Sequence, residues 1–200
     1  MITVDLATAS PAVLVLDMQV AFVSPEGAFG NDAGALIERL NPFLDGCRSR
    51  RVPVIFSSYL LRADLADAGL LGGNEAAAHF GESAPGAALD PRISRAEGDL
   101  EVRHNRPSAL FRSDLPAVLA GLGADTLLLT GVSVNNAISS TARDAFARDI
   151  PVLVVGDCVG ATPWEPEEKH DTYLEILATW TAEVSDAAGV LARLDLRPAG

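Results

Sequence analysis

Two titratable residues stand where acid–base chemistry could be done. Asp17 lies near the end of the apolar run Ala12–Gln19 (AVLVLDMQ), and His104 closes the short run Leu100–His104. A carboxylate at the end of a buried strand is costly unless a partner or a substrate uses it. An imidazole changes charge near neutral pH and can donate, accept or balance a proton. On position alone, Asp17 serves equally as a catalytic acid or as a cap for a nearby loop. On position alone, His104 reads more simply as a histidine hydrogen-bonded at a strand end. A third group, Ser133 to Ala137, follows the run Thr126–Val132 and opens a helix. Amides at such a helix start, with the dipole behind them, favour an anionic group. Asn135 and Asn136 are well placed beside it, and capping is their simpler use. Cys158 reads as a buried small hydrophobe rather than a nucleophile, and Cys47 as structural.

These residues need elements to hold them, and the sequence alternates strands with helices. Ala12–Gln19 reads as a buried parallel strand, Val52–Leu60, Thr126–Val132 and Val152–Gly156 as further strands, and Leu100–His104 as a short one. Between them, Asp32–Arg48 reads as a helix with a possible kink or break at Pro42. Helices are also expected over Ser113–Leu122 (Ser113 as N-cap), Asn135–Arg148 and Glu167–Thr181. A short strand and a last helix ending near Leu194 follow. The stretch Arg62–Gly98 is rich in Gly, Ala and Pro, and is expected to form short helical turns over a pocket. The alternation predicts a three-layer α/β/α, Rossmann-like fold around a mostly parallel sheet, in one domain over residues 1–200. Ligands in such sheets bind beyond the carboxyl ends of the strands, near a switch in strand order. Phe22, Tyr59, Arg62, His79 and Trp164 could shape that pocket, and each is equally at home in ordinary surface or core. Arg103 should point away from it by strand alternation.

Composition excludes several classes. The chain has 200 residues, a formal net charge of −12 and two cysteines without a CxxC pair. The charge opposes phosphate backbones, so no nucleic-acid partner is expected. No apolar run is long enough to span a membrane, and the N-terminus lacks the pattern of a secretory signal. With so few cysteines, a disulfide framework or zinc site is not expected, and a cytoplasmic setting is the simplest.

The segments Val13–Gly30 (VLVLDMQVAFVSPEGAFG), Val102–Leu115 (VRHNRPSALFRSDL) and Gly131–Ala161 resemble the isochorismatase-like, or cysteine hydrolase, superfamily. The resemblance implies an aspartate, lysine and cysteine machinery. Asp17 matches the aspartate. His104 occupies the lysine position, four residues before the Ser of a Ser-Ala-Phe run that here reads Ser108-Ala109-Leu110. Ala137 stands where the nucleophilic cysteine is usual. The family's Asn-Asp after Gln19 is replaced by Val20 and Ala21. The resemblance also implies a cis peptide before Ser133, with the amides of Ser133 and Ala137 forming an oxyanion hole. The nicotinamidase branch binds metal through an Asp and two His after the second strand. The segment SSYLLRADLADAGLL has no His, so no metal is expected, nor any cofactor. Superfamily members form dimers or tetramers, so self-association is expected.

Isochorismatases of the superfamily lack the cysteine but keep the lysine. The expectation is therefore an atypical hydrolase or lyase acting on a small carboxylated or carbonyl metabolite. Asp17 and His104 would be its acid–base pair, with Ser133, Ala137, Asn135, Asn136, Phe22, Tyr59 and Trp164 around the substrate. The alternative is a catalytically inactive relative that binds a small ligand or partner. A cysteine-dependent amidase is excluded on this reading.

Overall fold

A computed structural model describes residues 2–162 and 167–197. Its centre is a six-stranded sheet in the order β3-β2-β1-β4-β5-β6. The strands are β1 Pro11–Leu16, β2 Val54–Tyr59, β3 Leu100–His104, β4 Thr126–Val132, β5 Val152–Gly160 and β6 Glu183–Ser185. All neighbours pair in parallel. Every residue of β1 and β4 is buried, as expected of near-continuous apolar runs covered on both faces.

Alternation sorts the side chains into two cores. Val13, Val15, Val54, Phe56, Leu153 and Val155 pack on one face against α2 (Gly34–Ser49) and α6 (Ala187–Leu194). On the other face, Leu14, Leu16, Ile55, Leu127, Leu129 and Val154 meet α3 (Leu115–Leu122), α4 (Ser139–Phe146) and α5 (Glu167–Trp180). Helix, sheet and helix thus form the three layers expected. A one-turn helix, α1 (Val20–Val23), follows the first strand.

Several boundaries differ from the sequence reading. Helix α2 runs through Pro42 without breaking. The first strand ends at Leu16, because Asp17 turns into the left-handed region at φ 53°. The fifth strand does not stop at Gly156. Its pairing with β4 shifts between Leu129 and Gly131, then resumes at Gly131↔Val159, so Asp157 and Cys158 lie within β5 rather than past it. The third helix begins at Leu115, with Asp114 in the N-cap position. Ser113 Oγ stands one residue earlier and accepts the Leu115 N–H at 3.3 Å. The fourth helical segment opens with one wide turn, Val134–Ile138, before α4.

The Gly, Ala and Pro-rich stretch forms three short helical turns, Gly69–Gly73, Glu75–Phe80 and Pro85–Ala87. They build a third, smaller cluster of Ala21, Leu61, Ala68, Ala77 and Phe80, joined by Phe22, Phe29, Tyr59 and Leu71. This cluster lies over the carboxyl ends of β1 and β2.

Candidate active site

The strand order runs 3-2-1 on one side and 4-5-6 on the other, so the switch falls between β1 and β4. Crossovers leave the sheet in opposite directions there and open a crevice. Asp17 follows β1 and Ser133–Ala137 follow β4. Asp17, Ser133 and Ala137 line one small cavity of about 40 Å³, with Phe22, Val132, Asn136 and Thr162 completing its wall. Asp17, Phe22 and Asn136 also line a larger adjoining pocket of about 610 Å³. Tyr59, Phe29, Ala68, Leu71, Phe80 and Arg106 form much of its wall.

Asp17 is held at several points. Its N–H donates to the Ser57 carbonyl at 2.9 Å, and its own carbonyl accepts the Gln19 N–H at 2.7 Å. A left-handed backbone is uncommon for a non-glycine residue, though Asp tolerates it best, and such conformations concentrate at functional sites. Gln19 locks the neighbouring strand end. Its side chain accepts the Tyr59 N–H and donates to the Tyr59 and Ala87 carbonyls.

His104 lies beneath the pocket floor with its side chain wholly buried. The Tyr59 ring meets it edge-on, centroids 5.6 Å apart. Its Nε2 is 2.8 Å from Asp17 Oδ1, and its Nδ1 is 2.6 Å from the Arg106 carbonyl oxygen. A carbonyl can only accept, so Nδ1 carries a proton. One further proton must lie between Nε2 and Oδ1 for that bond to form. Whether nitrogen or oxygen holds it, the pair is neutral overall, which suits a buried place. Burial disfavours the imidazolium, but the Asp17 charge, its hydrogen bond and the Arg106 carbonyl outweigh this and hold His104 above its ordinary value. Asp17 Oδ2 has no hydrogen-bond partner among the described residues, and Asp17 lines both cavities. Burial raises the Tyr59 phenol, which stays neutral at working pH.

The peptide before Ser133 is cis, as the family resemblance implied. The Ser133 hydroxyl donates to Asn135 Oδ1 at 2.9 Å, so Asn135 is used within its own turn. Asn136 lines both cavities. Arg62 is exposed and ion-paired with Asp64, and His79 is exposed, its ring meeting Phe29 edge-on. Trp164 lies outside the described residues. Arg103 points outward toward Glu82. Cys47 and Cys158 are fully buried, and burial pushes both thiols up to about 12. No group of three or more His, Cys, Asp or Glu could hold a metal ion among the described residues.

Sequence reasoning missed Phe29, Phe80, Ala68 and Leu71, which form much of the larger pocket's wall. They sit in irregular backbone, where no periodicity assigns a face. The exposed Leu70 at the pocket mouth was equally invisible.

The fold and crevice define a Rossmann-like α/β protein with its ligand site at the strand switch. The profile of the Isochorismatase domain matches residues 11–189, and the chain belongs to that family. It is 27% identical over 183 residues to N-carbamoylsarcosine amidase of an Arthrobacter species, covering 84% of this chain and 68% of that protein. It is 30% identical over 155 residues to enterobactin synthase component B of Escherichia coli, covering 74% of this chain and 52% of that one. The chain therefore spans about half the length of the latter relative. Among solved structures, a cysteine hydrolase from Pseudomonas syringae pv. phaseolicola superposes with a TM-score of 0.86 at 23% identity. That match covers 93% of this chain and 92% of the other. The family contains hydrolases, including amidases, that act on small metabolites. Among the described residues, no helix is long and apolar enough to cross a membrane.

Proposed function

We propose that this chain is a hydrolase of small carbonyl metabolites that uses water, activated by the Asp17–His104 pair, where the family resemblance implies a cysteine nucleophile. The observation that carries the reading is the cavity of about 40 Å³ between Asp17 and Ala137. It is roughly the room one ordered water requires, with polar groups around it. On the family resemblance, Ala137 holds the nucleophile's place, so the missing thiol leaves space beside a carboxylate.

The steps then balance without a covalent intermediate. Asp17 Oδ2 takes a proton as water attacks the substrate carbonyl carbon. The carbonyl electrons move to oxygen, held by the Ser133 and Ala137 amides. The oxyanion collapses, the bond to nitrogen or oxygen breaks, and Asp17 returns its proton to the leaving group. His104 keeps its Nδ1 proton on the Arg106 carbonyl throughout and holds the carboxylate through Nε2. On an enol ether Asp17 would instead start protonated, give that proton to the methylene carbon, and regain one from the water that adds to the oxocarbenium carbon before the hemiketal releases the alcohol.

Turnover of isochorismate, related enol ethers and simple amides, followed by mass spectrometry in ¹⁸O-water beside Asp17→Asn, tests this. One labelled oxygen in an acid product, abolished by Asp17→Asn, is the expected result. Ligand binding without turnover would instead favour the inactive relative.

A further inference from the structure

The Arg106 carbonyl fixes the His104 ring, yet little backbone fixes that carbonyl. Among the described residues, no backbone–backbone hydrogen bond holds Asn105, Arg106 or Pro107. The chain is anchored again at Ser108, whose hydroxyl donates to Asp144 at 2.7 Å, and at Ala109, whose N–H donates to Thr141 Oγ1 at 3.0 Å. Between β3 and that anchor, the loop depends on side chains.

Those side chains converge on Asp67, in the covering stretch. Asn105 Nδ2 donates to Asp67 Oδ2 at 3.0 Å, and Arg106 Nη1 donates to the Asp67 carbonyl at 2.9 Å. Arg106 Nη1 also donates to the Asn105 carbonyl, which closes the loop on itself. The other carboxylate oxygen, Asp67 Oδ1, accepts the Arg62 N–H at 2.9 Å. Gly69 lies against the same guanidinium, where an added Cβ would come within 2.8 Å of Arg106 Nη2. Burial disfavours the Asp67 anion, but the Arg62 amide and the Asn105 side chain outweigh it and hold the carboxyl below its ordinary value. It is therefore ionised near neutral pH and can accept at both oxygens.

We infer that Asp67 is a positioning residue: it ties the covering stretch to the loop after β3 and so keeps the Arg106 carbonyl on His104 Nδ1. It acts through Arg106 and not on the reacting atoms. A loosened loop would free the Nδ1 proton, let the ring turn, and release the carboxylate that Nε2 holds. The inference rests on the Asp17–His104 pair proposed above, but its test reads the ring itself. A simpler use for Asp67 is to close its own turn with Arg62. Asn105 separates the two roles, because it bonds Asp67 from the other loop and takes no part in that turn.

The experiment is NMR of the His104 ring N–H in the intact chain, assigned among the three histidines by its loss in His104→Gln. In the wild type the Nδ1 proton should exchange slowly with solvent. In Asp67→Ala and in Asn105→Ala it should exchange at least about tenfold faster, the scale of one lost hydrogen bond. His104 should also titrate at lower pH in both, because a carbonyl bonded to Nδ1 favours the imidazolium. Asp17, Tyr59 and Arg106, the groups that face the ring, stay in place. Both substituted positions are partly exposed, so neither variant empties the core. Asp67→Asn should restore slow exchange, since its Oδ1 still accepts from Arg62 and the Asn105 amide can turn its oxygen toward the new NH2. On any amide or enol ether that the wild type turns over, both alanine variants should lower kcat about tenfold or more and leave KM within about twofold. Wild-type exchange in Asn105→Ala would overturn the inference, and Asp67 would then serve its own turn alone. An unchanged kcat in a variant whose ring has loosened would overturn it too. If the wild type turned over no amide or enol ether while exchange changed as expected, this inference would stand and the water mechanism would fail.

Discussion

His104 Nε2 stands 2.8 Å from Asp17 Oδ1 while its Nδ1 stands 2.6 Å from the Arg106 carbonyl, so one buried ring is fixed at both nitrogens. The carbonyl dictates the tautomer, and the tautomer dictates that a proton lies between His104 and Asp17. The ring thereby positions a carboxylate whose other oxygen is left to the cavity.

Removing the ring should therefore be costly. His104→Ala leaves a buried carboxylate without its partner, and such losses cost about 3–5 kcal/mol. His104→Lys returns a cation of the kind the family resemblance implies and should recover part of that stability. Urea unfolding measures both. An unchanged midpoint in His104→Ala would show that the pair contributes nothing to the fold.

The same pair predicts a pH dependence with a definite sign. His104 is raised above its ordinary 6.5 in the folded chain, with Asp17, Tyr59 and Arg106 facing it. The folded state thus binds the proton more tightly than the unfolded state does. The stability it supplies is full below about pH 6.5 and is lost as pH rises through the folded value. Relative to His104→Gln, the wild type should lose unfolding free energy on going to alkaline pH. A difference that stays flat or grows would contradict the assignment.

What the sequence made legible follows from what each residue's signal is. Asp17 follows an apolar run and His104 closes a short strand, so strand direction puts both at the carboxyl edge of the sheet. Asn135 and Ser133 spend polar atoms on each other, a pairing that spacing could not separate from pocket lining. Phe29, Leu71 and Phe80 come from one covering stretch and the loop after the first helical turn, where backbone follows no period and tertiary contact alone selects the inward side chains. The length of β5 was hidden for a related reason. The shift beyond Leu129 lets pairing resume three residues later than uninterrupted register would place it.

Gly131 explains why the two halves of the crevice can meet. Its φ is +99°, and a Cβ there would lie 2.1 Å from the Leu16 carbonyl oxygen, in the strand that delivers Asp17. Gly131→Ala should destabilise the chain by about 2–4 kcal/mol, combining an unfavourable φ with a backbone clash. Gly98→Ala, in open space, serves as the control and should stay within about 0.5 kcal/mol of wild type. Equal unfolding midpoints for the two variants would remove Gly131 from this account.

The native thiols should be inert. Cys47 and Cys158 are fully buried, and burial raises both to about 12, so little thiolate exists at pH 8. Iodoacetamide should leave the folded chain unmodified by intact-mass measurement and label two sites in denaturant. Rapid labelling of the native chain, with loss of turnover, would reopen a cysteine mechanism.

The decisive variants lie at Ala137. Ala137→Val adds two methyl groups to the wall of a cavity of about 40 Å³ and leaves no room for a water beside Asp17. If that water is the nucleophile, turnover should fall by about 10²-fold or more, the scale of a positioned acid–base step. The larger pocket is not lined by Ala137, so a ligand held there should still bind. Ala137→Cys restores a thiol at the crevice. Unlike Cys47 and Cys158, it should react with iodoacetamide in the folded chain, because it would open onto the cavity beside Asp17, whose carboxylate can accept the thiol proton. Unimpaired turnover in Ala137→Val would place the attacking group elsewhere. Lost turnover with retained binding would locate it between Asp17 and Ala137.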